Sequence, residues 1–446
     1  MKKINRRSFL KGMAACAAMA GLSACGSAAS ASTAAGTASS AAASSAASSA
    51  ASAAPADFSG RTVTVGLWGG NDQETASINT LKANFEKAHN CTVELKVYTD
   101  YNTQLQADLI GKTAPDTFYV DGSMFAFYSD LGVMDTLDPA EYSLDAFYDN
   151  LVSAFTTADG SVLCIPKDCS TLATYYNETM LSDCGFTGDD IPDSYDKYKD
   201  FLTQLQTKLD EKYGKGAVAA MTYNQDLARN LFILQDGSTG LCDADGNSTL
   251  NQEPVVKNLQ FMLDLVDAGV WKTPSDLGTG WNGEAFGTGK CAIMEEGNWV
   301  YGTLKKDYSD IKFGCKGMPK YNGTQYSMIF TVGYGIYSAS ENKDMAAEWI
   351  KYVTSVDGET IWCTGAGCLP PRSDAAEAMD VESDPVWKVH SEMTPVALPW
   401  QLGKNLALIN TAYQNYLPQA VSGDMTAAEC LEAADKQAND QIANAG

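Results

Sequence analysis

Two groups of residues in this chain have types and spacings that could do chemistry: runs spelled like reaction motifs, and aromatic residues placed beside short polar ones. Gly278-Thr279-Gly280-Trp281-Asn282-Gly283 has the spelling of a dinucleotide-binding loop. However, Lys272-Thr273-Pro274-Ser275-Asp276 stands where the preceding strand is needed, and no suitable helix starts there. Gly289-Lys290 lacks both the leading glycine of a phosphate loop and the Ser or Thr after the lysine. Asp243, Asp245, Asn247 and Thr249 supply the alternating oxygens of a calcium loop, yet Pro254 occupies the place of its bidentate glutamate, and a hairpin turn at Asp245-Gly246 reads better. The only histidines, His89 and His390, are far apart, neither is near a nucleophile-elbow sequence, and no CxxC occurs. Serine–histidine catalysis and the usual zinc or haem sites are therefore unsupported. Glu295-Glu296 could act as the acid pair of a glycosidase, but among 55 acidic residues such pairs arise from composition alone. The sequence thus predicts no catalytic residue, no metal and no cofactor.

The aromatic group has elements to hold it. Thr62-Val63-Thr64-Val65 is a β-branched strand, followed by the loop Trp68-Gly69-Gly70-Asn71-Asp72 and a helix with Ile78, Leu81 and Phe85 at helical spacing. A strand at Thr92–Val97, a helix through Leu105 and Leu109, and a strand at Thr117–Val120 follow. This β-α-β-α-β order predicts a parallel sheet with helices on both faces. Ligands of such sheets lie beyond the carboxyl ends of the strands, which here carry Trp68 to Asp72 and Asp121 to Ser123. The second half repeats this alternation, with helices through Val255–Val266 and Ala347–Val353 flanking strand-like runs at Cys291–Met294 and Ile329–Ile336.

Composition and the N-terminus bound the class. Lys2, Lys3, Arg6 and Arg7 precede an uncharged stretch from Gly12 to Leu22 that ends in small residues, the layout of a secretory signal and too short to span a bilayer. From Gly26 to Ala54 only Ala, Ser, Thr and Gly occur, so this segment is expected to be a flexible tether reaching roughly 30 Å on average. Without the leader, 26 basic residues face 55 acidic ones, which argues against a nucleic-acid partner. Ten cysteines remain beyond Cys16 and Cys25, and export permits disulfides. Cys363–Cys368 is the first candidate pair and Cys164–Cys169 the second, with buried free thiols an equal alternative.

Five motifs occur in order: Ala114-Pro115-Asp116-Thr117-Phe118-Tyr119-Val120-Asp121; Ile165-Pro166-Lys167-Asp168 with Tyr175-Tyr176-Asn177; Gly289-Lys290-Cys291-Ala292-Ile293-Met294 with Gly297-Asn298-Trp299; Gly333-Tyr334-Gly335-Ile336; and Leu369-Pro370-Pro371-Arg372. Together they resemble extracellular solute-binding protein family 1, the sugar-binding lipoproteins of ABC importers. Leu22-Ser23-Ala24-Cys25 likewise resembles a lipobox, and Arg6-Arg7-Ser8-Phe9-Leu10-Lys11 a twin-arginine signal. The resemblance implies an α/β fold of the periplasmic-binding-protein-like type II, with two α/β lobes joined by hinge segments around a ligand cleft. The expected organisation is a signal peptide over 1–24, a lipidated Cys25 and tether over 25–56, lobe 1 from 57–168 and 335–375, and lobe 2 from 169–334 and 376–446. Hinges are expected near Pro166–Ser170, Val332–Gly335 and Pro370–Ser373.

The implied role is to capture a carbohydrate at the outer face of the cytoplasmic membrane, after export by the Sec or twin-arginine route, and deliver it to an ABC permease. The protein is expected to be a lipid-anchored monomer. A sugar offers a C–H face and a hydroxyl edge, so its site needs flat aromatic surfaces and forked polar groups. The residues the resemblance places there are Trp68, Asn71, Asp72, Asp121, Ser123, Ser170, Trp281, Glu284, Trp299, Tyr334, Arg372 and Trp400. The alternatives are a non-sugar solute such as a polyol phosphate, peptide or amino acid, a surface glycosidase or lyase, and an adhesion or scaffold lipoprotein.

Overall fold

A computed structural model describes residues 55–234 and 240–445 of the chain, so the leader, Cys25 and all of the expected tether except residues 55 and 56 lie outside the described residues. The strands are β1 Thr62–Trp68, β2 Thr92–Tyr98, β3 Thr117–Asp121, β4 Cys164–Asn177, β5 Ala219–Thr222, β6 Trp271–Lys272, β7 Cys291–Gly297, β8 Phe313–Lys316, β9 Lys320–Tyr321, β10 Thr324–Gln325, β11 Ser327–Ile336 and β12 Ala397–Pro399. One sheet runs β2-β1-β3-β11-β4-β7-β5-β6, with β12 beside β11 and β8 beside β4. Its two flanks, β2-β1-β3 and β7-β5-β6, are parallel within themselves, as the alternation of strands and helices dictates. The long strands β4 and β11 pair antiparallel to each other and to both flanks, and so join them.

Two hydrophobic cores lie on either side of that junction. One is built from Phe58 to Ile165 and from Tyr334 to Cys363, the other from Leu172 to Met328 and from Met393 to Ala438. β4 leaves the first core after Ile165 and enters the second at Leu172, while β11 makes the reverse passage between Met328 and Tyr334. A small cluster of Cys169, Ile329, Leu369 and Ala397 packs where they cross. There the ladder slips: Val332 faces Asp168 and Gly333 faces Pro166, so Lys167 is bulged out of register.

The hairpin reading at Asp245-Gly246 holds, since Cys242 bridges Ser248 and the Asp243 carboxylate accepts from the Asp245 and Asn247 amides. All ten cysteines in the described residues are free. Cys164 and Cys169 do not pair, because Cys164 packs in the first core against Met134 whereas Cys169 faces the crossing cluster. Cys363 and Cys368 are adjacent at the end of the helix Val356–Ala366, where both the Gly367 and Cys368 amides donate to the Cys363 carbonyl.

His390 pins β4 from outside the sheet. Thr171 Oγ1 lies 3.0 Å from its Nδ1, and the Tyr175 hydroxyl lies 2.6 Å from its Nε2. Burial lowers its pKa from 6.5 to about 3. An unfolded His390 takes up a proton below pH 6.5 whereas the folded one does not, so stability is lost as pH falls from 6.5 toward 3, at about 1.4 kcal/mol per unit. Urea midpoints of the wild type and His390→Gln between pH 7 and 4 are expected to converge as pH falls. Parallel curves would assign the acid lability to other groups.

Candidate functional site

The pairing registers bring the ends of β3 and β7 toward one another. Asp121, the last residue of β3, faces Val332, while Gly297, the last of β7, faces Leu172, next to the Thr171–Ile329 rung. Leu172 lies one step past Thr171 and so is level with Met328, four residues from Val332, and the two carboxyl ends face each other from opposite cores with an offset of about 13 Å measured along the crossing strands. Such an arrangement concentrates loops from both halves at one place, as strand carboxyl ends do in open α/β sheets.

On the first core's side, Trp68 ends β1 with its ring edge-on to Tyr101 and Tyr119, with centroids 5.0 and 4.9 Å away. A cavity of about 270 Å³ opens here, lined among others by Trp68, Ile78, Leu95, Val97, Tyr119 and Trp362. Trp362 is aimed by its indole N–H, which donates to Asp168 at 2.8 Å, and Lys167 Nζ lies 3.9 Å from its ring centroid. Burial is the largest single influence on Lys167 and works against its charge, but the paired Asp168 carboxylate, together with Cys368 and Tyr334, more than offsets it, and the pKa goes up. Asp121 accepts from the backbone amide and hydroxyl of Ser123, and burial pushes its carboxyl above the usual range against those bonds.

The second core supplies a charged and aromatic group. Arg229 Nε donates to Glu296 at 3.2 Å and Nη1 to Asp226 at 3.0 Å, and its guanidinium carbon lies 5.5 Å from the Trp299 ring centroid. Burial works against the Arg229 charge, but the two carboxylates more than offset it and its pKa goes up. Asn224 donates to the other Glu296 oxygen at 3.4 Å. Phe330 stands edge-on to Trp299 at 5.5 Å. Asn298 ties this group to the crossing: it accepts from the Thr171 amide and donates to Ser170 Oγ and the Gly367 carbonyl. Trp400 is fixed by its amide to the Ile329 carbonyl, and Gln401 then donates to Gly122 and Ala154, joining the two sides.

Of the residues expected at the site, Trp68, Asp121, Ser123, Ser170, Trp299 and Trp400 therefore surround the crossing, and Trp281 packs on the same minor core as Trp299. The others have different work. Asn71 caps the helix Asp72–His89 in a reciprocal bond with Glu74, and Asp72 is an exposed first-turn residue of that helix. Glu284 accepts from the Gly280 amide. Tyr334 is 2% exposed, its ring against Tyr119 within the first core. Arg372 is buried, forked onto Asp374, bonded to the Thr354 carbonyl and stacked on Phe147. Glu295 and Glu296 are no acid pair, because neighbours on a strand point to opposite faces: Glu295 accepts from Tyr195 and Glu296 from Arg229.

Sequence reasoning missed Arg229, Asn224, Tyr119 and Trp362. Arg229 and Asn224 follow β5, a four-residue buried strand without alternation, and so lacked the periodicity that marks a strand end. Tyr119 lay in a quoted motif but read as strand interior.

Residues 80–389 match the family described as bacterial extracellular solute-binding protein, and residues 3–23 match the twin-arginine translocation signal sequence. Among curated relatives, the xylose/arabinose-binding protein XacG of Haloferax volcanii is 24% identical over 45% of this chain and 43% of its own. The sn-glycerol-3-phosphate-binding periplasmic protein UgpB of Rhizobium meliloti is 23% identical over 42% of each chain. The chain thus spans less than half the length of these two relatives. The sugar-binding protein MalE of Xanthomonas citri superposes with a TM-score of 0.76 at 16% identity, covering 86% of this chain and 98% of that one. The mixed α/β fold is that of such periplasmic binding proteins.

Proposed function

The chain belongs to the bacterial extracellular solute-binding protein family, and from that premise we propose that it captures a neutral carbohydrate of oligosaccharide size for an ABC import permease. Its family is one of binding proteins, not of catalysts, and its leader and family indicate export. Lipidation of Cys25, a tether to the outer face of the membrane and a monomeric state complete the reading.

The observation that carries the choice of ligand is the commitment of the cations beside the crossing and of Arg372, the cation expected at the site. Lys167 is paired with Asp168, Arg229 with Glu296 and Asp226, and Arg372 with Asp374. A phosphate would have to take a guanidinium from a carboxylate already holding it, a loss that the anion's own bonds would have to exceed. A sugar asks for what remains: the indoles of Trp68, Trp299 and Trp400, and the polar edges of Asp121, Ser123, Ser170 and Asn224. Aromatics from both cores suit a ligand longer than one ring. In this reading the two halves close on the sugar by rotation at the crossing strands, where the bulge at Lys167 already loosens the ladder. Closure is favoured by contacts that the ligand makes only with both halves.

A thermal-shift screen tests the reading. Uncharged oligosaccharides are expected to stabilise the protein, by about 2.7 kcal/mol at a hundredfold excess over Kd, while glycerol phosphate has no effect. Stabilisation by the phosphate alone would reverse the assignment.

A further inference from the structure

We propose that Gly297 is a positioning residue for sugar binding: it is the seat on which the Trp299 indole lies, and it fixes the plane that the half-buried ring, with Arg229 5.5 Å from its centroid, presents to the ligand. This rests on the carbohydrate reading above and adds to it a position that touches no ligand. A Cβ built on Gly297 would fall inside van der Waals contact of Cε3, Cζ3 and Cη2 of Trp299, three consecutive atoms of the six-membered ring. Near-equal approach to three consecutive ring atoms means that the Cβ meets the flat side of the ring, since a point beyond the edge would be close to one atom and far from its neighbours. The glycine backbone is therefore stacked beneath the indole. Gly297 is the last residue of β7, held opposite Leu172 by the ladder, and Asn298 is held to Ser170, Thr171 and Gly367, so the seat cannot retreat when a side chain is added. The indole would have to leave instead. The same device recurs nearby, where a Cβ on Gly283 would meet consecutive atoms of the Trp281 six-membered ring.

The chemistry explains why the seat matters. A sugar stacks on an aromatic ring through its C–H face, and the contact survives only if the ring keeps its plane and one face stays open. A side chain at position 297 would displace the ring without removing it. The backbone itself asks for nothing unusual there, because Gly297 does not have a positive φ. An alanine at this position thus acts through the indole and not through backbone strain.

The experiment compares full-length wild type, Gly297→Ala, Trp299→Ala, the double variant, and Gly302→Ala, whose added Cβ would meet nothing within 4 Å on the helix Trp299–Asp307. The probe is the neutral oligosaccharide that gives the largest thermal shift. Calorimetry is expected to show Gly297→Ala about tenfold or more weaker. The double variant should be no weaker than Trp299→Ala alone, and Gly302→Ala should match the wild type. A second readout needs no sugar: near-ultraviolet circular dichroism and acrylamide quenching are expected to change in Gly297→Ala with the far-ultraviolet spectrum preserved. Wild-type affinity in Gly297→Ala, or a double variant weaker than Trp299→Ala by the full Gly297→Ala factor, would overturn the proposal. If no oligosaccharide binds the wild type, the carbohydrate reading fails, and an unchanged indole spectrum in Gly297→Ala would still overturn the seat by itself.

Discussion

Replacing Glu295 by glutamine is expected to stabilise the protein at pH 8 by on the order of 4 kcal/mol while leaving it almost unchanged near pH 4.5. Burial raises the Glu295 carboxyl from 4.5 to about 8, and the hydrogen bond from the Tyr195 hydroxyl, 2.6 Å away, opposes that rise. Between those values the folded protein keeps a proton that the unfolded chain has released. Stability then falls as pH rises, by about 1.4 kcal/mol per unit, and the loss is complete only near the folded pKa. Glutamine has the shape of the protonated acid and cannot ionise, so its curve lacks this slope. Urea unfolding of both proteins from pH 4.5 to 8.5 measures the effect, and a constant offset across that range would show that Glu295 is ionised in the native state. The effect is opposite in sign to that of His390. Together the two groups narrow the pH range of maximal stability from both ends.

Trp299→Ala is expected to weaken binding of a neutral oligosaccharide by about 2 kcal/mol, or roughly thirtyfold, as the loss of a central aromatic anchor does. The substitution also has a cost in stability. Trp299 packs against two core clusters and against Phe330, so removing it leaves a void, and a lowered melting temperature is expected alongside the weaker binding. Trp299→Phe separates the two effects: it refills much of the void and restores much of the stability, but offers a smaller stacking surface. Calorimetry giving equal affinities for all three proteins would remove Trp299 from the site.

Much of the fold was legible because its signals are local. The strands before Trp68 and Asp121 alternate or are β-branched, and the helices Asp72–His89, Glu253–Asp267 and Lys343–Val353 carry apolar residues at helical spacing. The hidden parts depend on contacts between distant residues. Asn71 looked like a ligand group because it follows a strand end, but the Glu three residues later made it a helix cap, a signal present in the sequence and outweighed by position. Arg372 looked like a free cation, and Asp374 two residues on was the clue that it is not. Nothing local distinguished Tyr334 from a ring open to the cleft, since its burial comes from Tyr119, more than two hundred residues earlier. Arg229 acquires its role only when β7 brings Glu296 beside it, and no pattern in one sequence encodes that pairing.

The exchange of β4 and β11 between the two cores has a consequence for biosynthesis. The first core is begun by Phe58 and completed only by residues up to Cys363, while the second waits for the stretch from Met393 to Ala438. A nascent chain therefore holds two unfinished apolar nuclei until most of it has left the ribosome, and contacts of such long sequence separation form slowly. No contiguous fragment contains either nucleus whole without part of the other, so neither half is expected to be obtained soluble by cutting the gene once.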